Sequence, residues 1–396
     1  MMQISPEIQL FIREHSSDDV RVLALQAKKY PDIDMPTVIT QIAGRKVAAE
    51  KIPSWWEIEK IWYPKHLSLE QCSSEITARY KARLLQGDSL TDLTGGFGID
   101  CSFLATGFKS ATYVERQEEL CEIAAHNFPV LNLNHINIKN EDGVTYLQAM
   151  SPVDCLFLDP ARRNEHGGKT VAISDCEPNV AELEELLLQK ANRVMIKLSP
   201  MLDLSLALKE LKQTQEVHIL SVNNECKELL ILLGQTSPAE ISIHCVNLFT
   251  KGTQKEQHFV FTREQEQCSE CTYTDSLETY LYEPNASLLK AGAFRSIAAA
   301  YPVRKLHPNS HLYTSDTFIE NFPGRIFRIV NQCSFNKKEV KENLADLKKA
   351  NVTVRNFPAT VAELRKRLHL TEGGDTYLFA STLNNGQKVI IRCEKV

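Results

Sequence analysis

The residues with the clearest chemistry lie in one phrase, DLTGGFGID, spanning 92–100. Asp92 and Thr94 lead into three glycines, Gly95, Gly96 and Gly98. Glycines at a strand-to-helix turn let a ligand come close to backbone N–H groups. Two more acids end the apolar runs that follow: Glu115 closes SATYVE, and Asp142 stands after HINI in NEDG. A dinucleotide fingerprint would need a third glycine where Cys101 stands, and a phosphate-binding loop would end in Gly-Lys-Ser/Thr, which is absent. A carboxylate such as Asp92 at a strand end suits a positively charged amino-acid group better than a pyrophosphate. Glu115 is placed to accept hydrogen bonds from both hydroxyls of a ribose.

Asp-x-x-x-Gly-x-Gly, here Asp92, Gly96 and Gly98, resembles the first motif of the class I S-adenosylmethionine-dependent methyltransferases. The resemblance implies S-adenosylmethionine as cofactor, held by Asp92, Thr94, Gly95, Gly96, Gly98, Glu115 and Asp142, with Asp142 taking the adenine amino group. Transfer from a sulfonium donor asks the protein to position the acceptor, remove a proton and exclude water. The acceptor site belongs at the carboxyl end of the fourth strand, which reads DCLFLDPARRN. Asp159 and Pro160 stand where amino-methylating enzymes carry Asp/Asn-Pro-Pro-aromatic, but Ala161 and Arg162 depart from that pattern.

DPARR is also similar to the DPPR of RNA uracil-C5 methyltransferases. Those enzymes need a cysteine nucleophile after the fifth strand, and IKLSPMLD has Ser199 and no cysteine, which argues against covalent C5 chemistry. Lys197, at that strand end, either polarises an acceptor hydroxyl together with Asp159, as in ribose O-methyltransferases, or is a surface lysine or one that pairs with Asp159. Glu225 or Glu228 would add an acid. Arg162 and Arg163 fit a phosphate, because the guanidinium fork matches its oxygens. The expected catalytic set is therefore Asp159, Pro160, Arg162 and Lys197, with Arg163 on the substrate.

These residues need a scaffold, and the apolar spacing supplies one. Residues 1 to 85 read as helical, with PEIQLFIREH, SDDVRVLALQAKKY (capped by Ser17), MPTVITQIAGRKVAAEKI and SSEITARYKARLL. Gln71, Ser73 and Ser74 either line the methionine end of the donor or, for Ser73, simply cap a helix. Trp55, Trp56, Trp62 and Tyr63 either stack on bases or form a seam between helices, the seam being favoured. From about 88, SATYV, HINI, DCLFLD, RVMIKL and EVHILSV alternate with helical stretches, the pattern of a parallel sheet covered on both faces. ELLILLG and ISIHCVNL read as antiparallel edge strands, and 262–277 as a polar boundary. The last stretch reads strand, helix, strand, helix, strand, strand: GRIFRIV, NKKEVKENLADLKKA, VTVRNF, TVAELRKRLHL, TYLFAST and KVIIRCEKV.

The chain of 396 residues calls for two or three domains. No apolar run approaches the roughly 20 residues of a membrane helix, and no signal peptide is visible, so a cytoplasmic location is expected. Eleven cysteines, an odd number, read as reduced thiols. Cys268 and Cys271 form a lone CxxC that His258 and His244 could complete; two unrelated thiols are the favoured reading, and no metal is expected. Net charge is −5, yet from Asn321 onward 14 lysines and arginines face 7 aspartates and glutamates. A basic C-terminal module on an acidic body hints at a polyanionic partner, although solvated faces often look the same.

Six phrases together, EQCSSE, DLTGGFGID, LDPARR, LYEPNASLLKAGAF, YPVRKLHPNSHLYTS and ELRKRLHLTEGGDTYLFA, resemble a bacterial family of class I methyltransferases. Its members carry a small ferredoxin-like piece followed by a THUMP-like domain. The resemblance implies an α/β fold: a class I methyltransferase (Rossmann-like) sheet with an N-terminal helical region and a small C-terminal α+β THUMP-like domain. The expected limits are 1–85 (helical), 86–277 (methyltransferase), 278–322 (ferredoxin-like) and 323–396 (THUMP-like). It also implies an RNA substrate, tRNA or rRNA, with Arg355, Arg365, Lys366 and Arg367 on phosphates. The rivals are a methyltransferase for a small molecule or protein, and a non-catalytic protein that binds the donor or RNA.

Overall fold

The structure is a computed structural model that describes residues 4–162, 172–236 and 238–396. The chain divides into two compact units: residues 1–215 with 230–238, and residues 216–229 with 239–396. None of the described helices is long and apolar enough to cross a membrane.

The first unit opens with helices at Pro6–Glu14, Val20–Leu25 and Met35–Lys51, in the region expected to be helical. The cap of the second is Asp19, whose carboxylate accepts the Arg21 N–H at 2.7 Å; Ser17 lies too far ahead of the first helical turn to do so. Trp55 and Tyr63 are buried with Ile52, Leu69 and Ala78 against Phe97 and Ile99 of the glycine loop. Trp62 stacks on His126, with ring centroids 3.8 Å apart. The aromatic segment is thus largely a seam, with only Trp56 strongly exposed.

The main sheet contains β1 (Ser89–Asp92), β2 (Ser110–Glu115), β3 (Ile136–Asn140), β4 (Val153–Leu158), β5 (Ala191–Leu198), β6 (Thr214–Val222), β7 (Glu225–Gly234), β8 (Ser242–Leu248) and β9 (Glu256–Thr262). Its order is β3-β2-β1-β4-β5-β7-β6-β8-β9. Strands β1 to β5 are parallel, and Asp92 stands level with Tyr113 on β2 and Phe157 on β4. The strand order reverses between β1 and β4, and ligands of open α/β sheets bind at the carboxyl ends of such a point. Glu115, Asp159 and Lys197 all lie at those ends.

Two strands differ from expectation. ELLILLG is not at an edge; as β7 it lies between β5 and β6. Asn223 and Asn224, both left-handed at φ 50° and 68°, turn the chain tightly back from β6, and the fully buried run Leu229–Leu233 needs cover on both faces. ISIHCVNL, as β8, runs parallel to β6, and the antiparallel edge is β9. A crossover long enough to reverse direction separates β7 from β8, which permits the parallel pairing.

The second unit holds a seven-stranded sheet: β10 (Tyr280–Pro284), β11 (Arg304–Lys305), β12 (Tyr313–Ser315), β13 (Gly324–Ser334), β14 (Asn351–Val354), β15 (Thr376–Thr382) and β16 (Lys388–Lys395), in the order β11-β12-β10-β13-β16-β15-β14. Helices Lys337–Leu344 and Val361–Leu368 fall where the apolar spacing put them. The alternation of α and β elements in both units agrees with the expected fold class.

Two glycines of the loop are constrained in different ways. A Cβ on Gly95 would meet the buried Tyr113 ring at 2.3 Å, whereas one on Gly96 has open space but a left-handed backbone, φ 55°. We expect Gly95→Ala to destabilise the protein by about 1–3 kcal/mol through overpacking, and Gly96→Ala by roughly 1–2 kcal/mol through backbone strain alone. Denaturant unfolding of both variants, with a loss of tertiary circular dichroism around Tyr113 only for Gly95→Ala, checks the distinction.

Candidate functional site

The glycine loop is tied down from three sides. Gly95 N–H donates to the Val114 carbonyl of β2 at 2.8 Å, Leu93 N–H to Phe157 of β4 at 3.0 Å, and Asp159 N–H to the Thr94 hydroxyl at 2.6 Å. Tyr113 donates its hydroxyl proton to the Gly96 carbonyl. Gly98, at φ 86°, starts the helix Ile99–Ala105. The loop is thus a rigid cradle whose turn residues face the carboxyl edge of the sheet.

The three strand-end acids have different surroundings. Glu115 already accepts two main-chain N–H groups, Gly96 at Oε2 (2.9 Å) and Gln117 at Oε1 (2.8 Å), so it shapes the loop as well as facing it. Asp142 is exposed and caps the helix Gly143–Ala149, its Oδ1 accepting from Val144 and Thr145 N–H at 3.0 Å each. Asp92 is buried, and only Oδ1 is engaged, by Thr94 N–H at 3.0 Å. Its Oδ2 is buried with no hydrogen-bond partner. Burial pushes the Asp92 carboxyl well above the usual range. Thr94 N–H opposes that rise, and the charges of Asp100, Asp159 and Glu115 add to it. A buried acceptor left unmet is costly, and a cationic ligand group would relieve the cost.

A second cluster, of compensated charge, lies beside the first. Asp100 is buried and takes Lys81 Nζ at 3.0 Å on Oδ1, with the Ser73 hydroxyl at 2.7 Å and Lys197 Nζ at 3.4 Å on Oδ2. Lys81 Nζ also donates to Ser73 Oγ at 2.8 Å, and Lys197 Nζ to the same oxygen at 3.2 Å. Lys197 reaches Asp159 Oδ2 at 2.5 Å. Burial alone would raise the Asp100 carboxyl; the two ammonium groups outweigh it and hold the carboxyl below the ordinary range. Asp159 moves the other way, raised by burial against the pull of Lys197.

Of the expected acceptor residues, the structure brings together Asp159 and Lys197, with Pro160 buried behind them. Lys197 is no surface lysine; it lies between two carboxylates. Arg163 and the side chain of Arg162 lie outside the described residues. Ser73 does not cap the following helix. Ser74 holds the cap position, its hydroxyl on the Thr77 hydroxyl at 3.3 Å and not on a main-chain N–H, and Ser73 is turned inward to Asp100. Lys81 and Asp100 carry the cluster and went unnoticed in the sequence. One signal existed: Asp100 is the acid that ends DLTGGFGID, where a buried helix face has no other use for charge.

Glu225 is exposed and pairs with Lys227 at 2.6 Å, while Glu228 is buried within β7. In the second unit, Arg355 pairs with the buried Glu283 at 3.1 Å, and Arg325 pairs with the same glutamate. Arg365 pairs with Glu372 at 3.0 Å. Lys366 is exposed, and Arg367 lies over the Phe335 ring, 4.1 Å from its centroid. Cys268 and Cys271 are free thiols.

The charge cluster makes a specific prediction. Lys81→Met should destabilise the protein by about 3 kcal/mol, because it leaves Asp100 buried with half its compensation. Adding Asp100→Asn should recover part of that loss, as a double-mutant cycle would show. Since the folded-state pKa of Asp100 is depressed, its contribution is complete above the ordinary carboxylate range and is lost as pH falls below it. Urea melts at pH 7 and pH 3 should therefore show the wild-type advantage over Asp100→Asn shrinking at the lower pH.

Comparison with known proteins agrees with this architecture. Residues 280–323 match the description of a ferredoxin-like domain and residues 324–395 that of a THUMP-like domain. Among solved structures, a Porphyromonas gingivalis W83 protein assigned as a methyltransferase is 34% identical, covers 98% of each chain and superimposes with a TM-score of 0.87. An rRNA methylase from Streptococcus thermophilus (14% identity, 40% of this chain and 93% of that one, TM-score 0.30) also matches. So does a Streptococcus mutans protein assigned as a methyltransferase and solved in complex with SAH (14%, 40% and 96%, 0.30). No curated protein matches the chain. Identity of 34% over nearly the full length of both chains, with both C-terminal domains present, places the chain in the bacterial class I methyltransferase family that carries a ferredoxin-like segment and a THUMP-like domain.

Proposed function

We propose that the protein is an S-adenosylmethionine-dependent methyltransferase acting on RNA, tRNA or rRNA. The observation that carries this reading is the buried, unpartnered Oδ2 of Asp92 beside the glycine cradle. A cationic α-amino group is the ligand that such an oxygen lacks, and S-adenosylmethionine carries one. In this reading Asp92 holds that amino group, Glu115 the ribose and Asp142 the adenine, with the backbone of Gly95, Gly96 and Gly98 close against the ligand. When bound, the donor supplies a methyl group on a positively charged sulfur.

The acceptor lies at Asp159 and Pro160. Burial makes Asp159 a better base than an exposed aspartate, so it takes the proton the acceptor loses. Lys197 holds Asp159 in place and offers an ammonium to an acceptor oxygen. Arg162 and Arg163 follow directly in sequence and suit a neighbouring phosphate. The support for RNA comes from the THUMP-like domain and its basic excess, of which Lys366 and Arg367 keep their charge toward solvent.

Transfer of a labelled methyl group into separated tRNA, rRNA and protein fractions from a strain lacking the gene tests the reading. Label is expected in one RNA fraction; label in protein alone, or in none, overturns it. Two physical readouts accompany this. Because Asp92 is raised in the free protein, pairing with a cation favours its ionised form. Donor binding should therefore release a proton and tighten as pH rises through that raised pKa. Calorimetry in two buffers of different ionisation enthalpy measures the release, which Asp92→Asn should abolish. RNA affinity should fall with salt, and replacing Lys366 and Arg367 together with alanine should flatten the log–log slope by about 1.4 if both contact single-stranded phosphates.

A further inference from the structure

A histidine cluster stands apart from the methyl-transfer chemistry, inside the second unit. Glu216 and His218 lie on β6, Ser242 and His244 on β8, and His258 on β9. The register places His218 opposite His244, and His244 opposite Val260, two residues from His258. Alternate residues of a strand share a face, so all three imidazoles project from one side of the sheet. The His218 and His244 rings stack with centroids 4.3 Å apart, and His244 and His258 follow at 5.3 Å. His244 Nδ1 is 3.1 Å from His258 Nε2, and His218 Nε2 is 3.2 Å from Glu216 Oε2. Ligand atoms of Glu216, His218 and His244 all lie within 4.8 Å of one another.

We infer that Glu216, His218 and His244 form a binding site for a divalent first-row transition metal, zinc being the best match, with His258 beside the group. Two ligand atoms bound at about 2.0–2.1 Å around a tetrahedral ion lie roughly 3.3 Å apart, close to the 3.2 Å between His218 Nε2 and Glu216 Oε2. Two imidazoles and one carboxylate suit zinc, nickel or copper; magnesium and calcium want oxygen ligands. Three protein ligands tie β6 to β8 and leave a fourth position for water. The CxxC thiols take no part in this group.

Equilibrium dialysis of the full chain, stripped with a chelator and exposed to micromolar zinc chloride, tests the site. A single zinc ion per chain is expected, with a raised melting temperature. His218→Gln and His244→Gln should each weaken binding by at least the ~100-fold that losing an outer-shell partner can cost. His258→Ala, at an exposed position beside His244, should weaken binding less than either glutamine variant does, and metal-free melting curves confirm that each variant is folded. A Cys268→Ser/Cys271→Ser double variant should bind as the wild type does, and cobalt in place of zinc should show no thiolate charge-transfer band. The inference is overturned if the stripped chain retains no zinc, if folded histidine variants bind as tightly as the wild type, or if binding is lost with the cysteines.

Discussion

Asp100 is a carboxylate inside the protein, and leaving such a charge uncompensated would cost several kcal/mol. Lys81 meets one of its oxygens and Lys197 the other, and both ammonium groups bond the Ser73 hydroxyl. Each partner comes from a different element: Lys81 from the helix that precedes the sheet, Asp100 from the helix that follows the glycine loop, Lys197 from the end of β5. The same Lys197 then holds Asp159 at the end of β4. A short-range electrostatic demand thereby sets the spacing of four chain segments around the carboxyl edge of the sheet.

Next to this satisfied cluster sits an unsatisfied one. Asp92 shares the same buried edge but receives only the Thr94 N–H on one oxygen. The lysines go to Asp100 and Asp159, and no described cation is paired with Asp92. This asymmetry separates the two acids: the fold itself neutralises Asp100, whereas it leaves Asp92 Oδ2 without a partner, the feature on which the proposed donor site rests. The glycine loop supports both roles, because Gly95 allows it to pack on Tyr113 while Gly96 N–H reaches Glu115.

The second unit treats its charges in a similar way. Two arginines, Arg325 and Arg355, converge on the buried Glu283, and Arg365 pairs with Glu372, so part of the basic excess is spent inside the domain. Lys366 and Arg367 remain on the outer side of a helix. A count of basic residues overstates what a polyanion would meet, since formal charge ignores intramolecular pairing.

Much of the framework was legible in the sequence, for local reasons. Period-two and period-3.6 spacing marked the strands from SATYV to EVHILSV and the whole α+β order after Gly324, because burial of one face imposes those periods. The glycine phrase and the acids Asp92 and Glu115 could be read because a tight turn admits few residue types. Distance in the fold decided the rest. The place of ELLILLG inside the sheet depends on a hairpin whose partner choice is not local. Ser73, Lys81, Asp100 and Lys197 span more than a hundred positions in sequence and meet only when the helix before β1 packs on the helix after it. The three histidines stand far apart in sequence and are joined by strand register. Local spacing, then, determined the elements and the glycine turn. Which carboxylates are paired, and which buried oxygen is left without a partner, was decided by tertiary packing alone, because a buried acid is defined by what surrounds it.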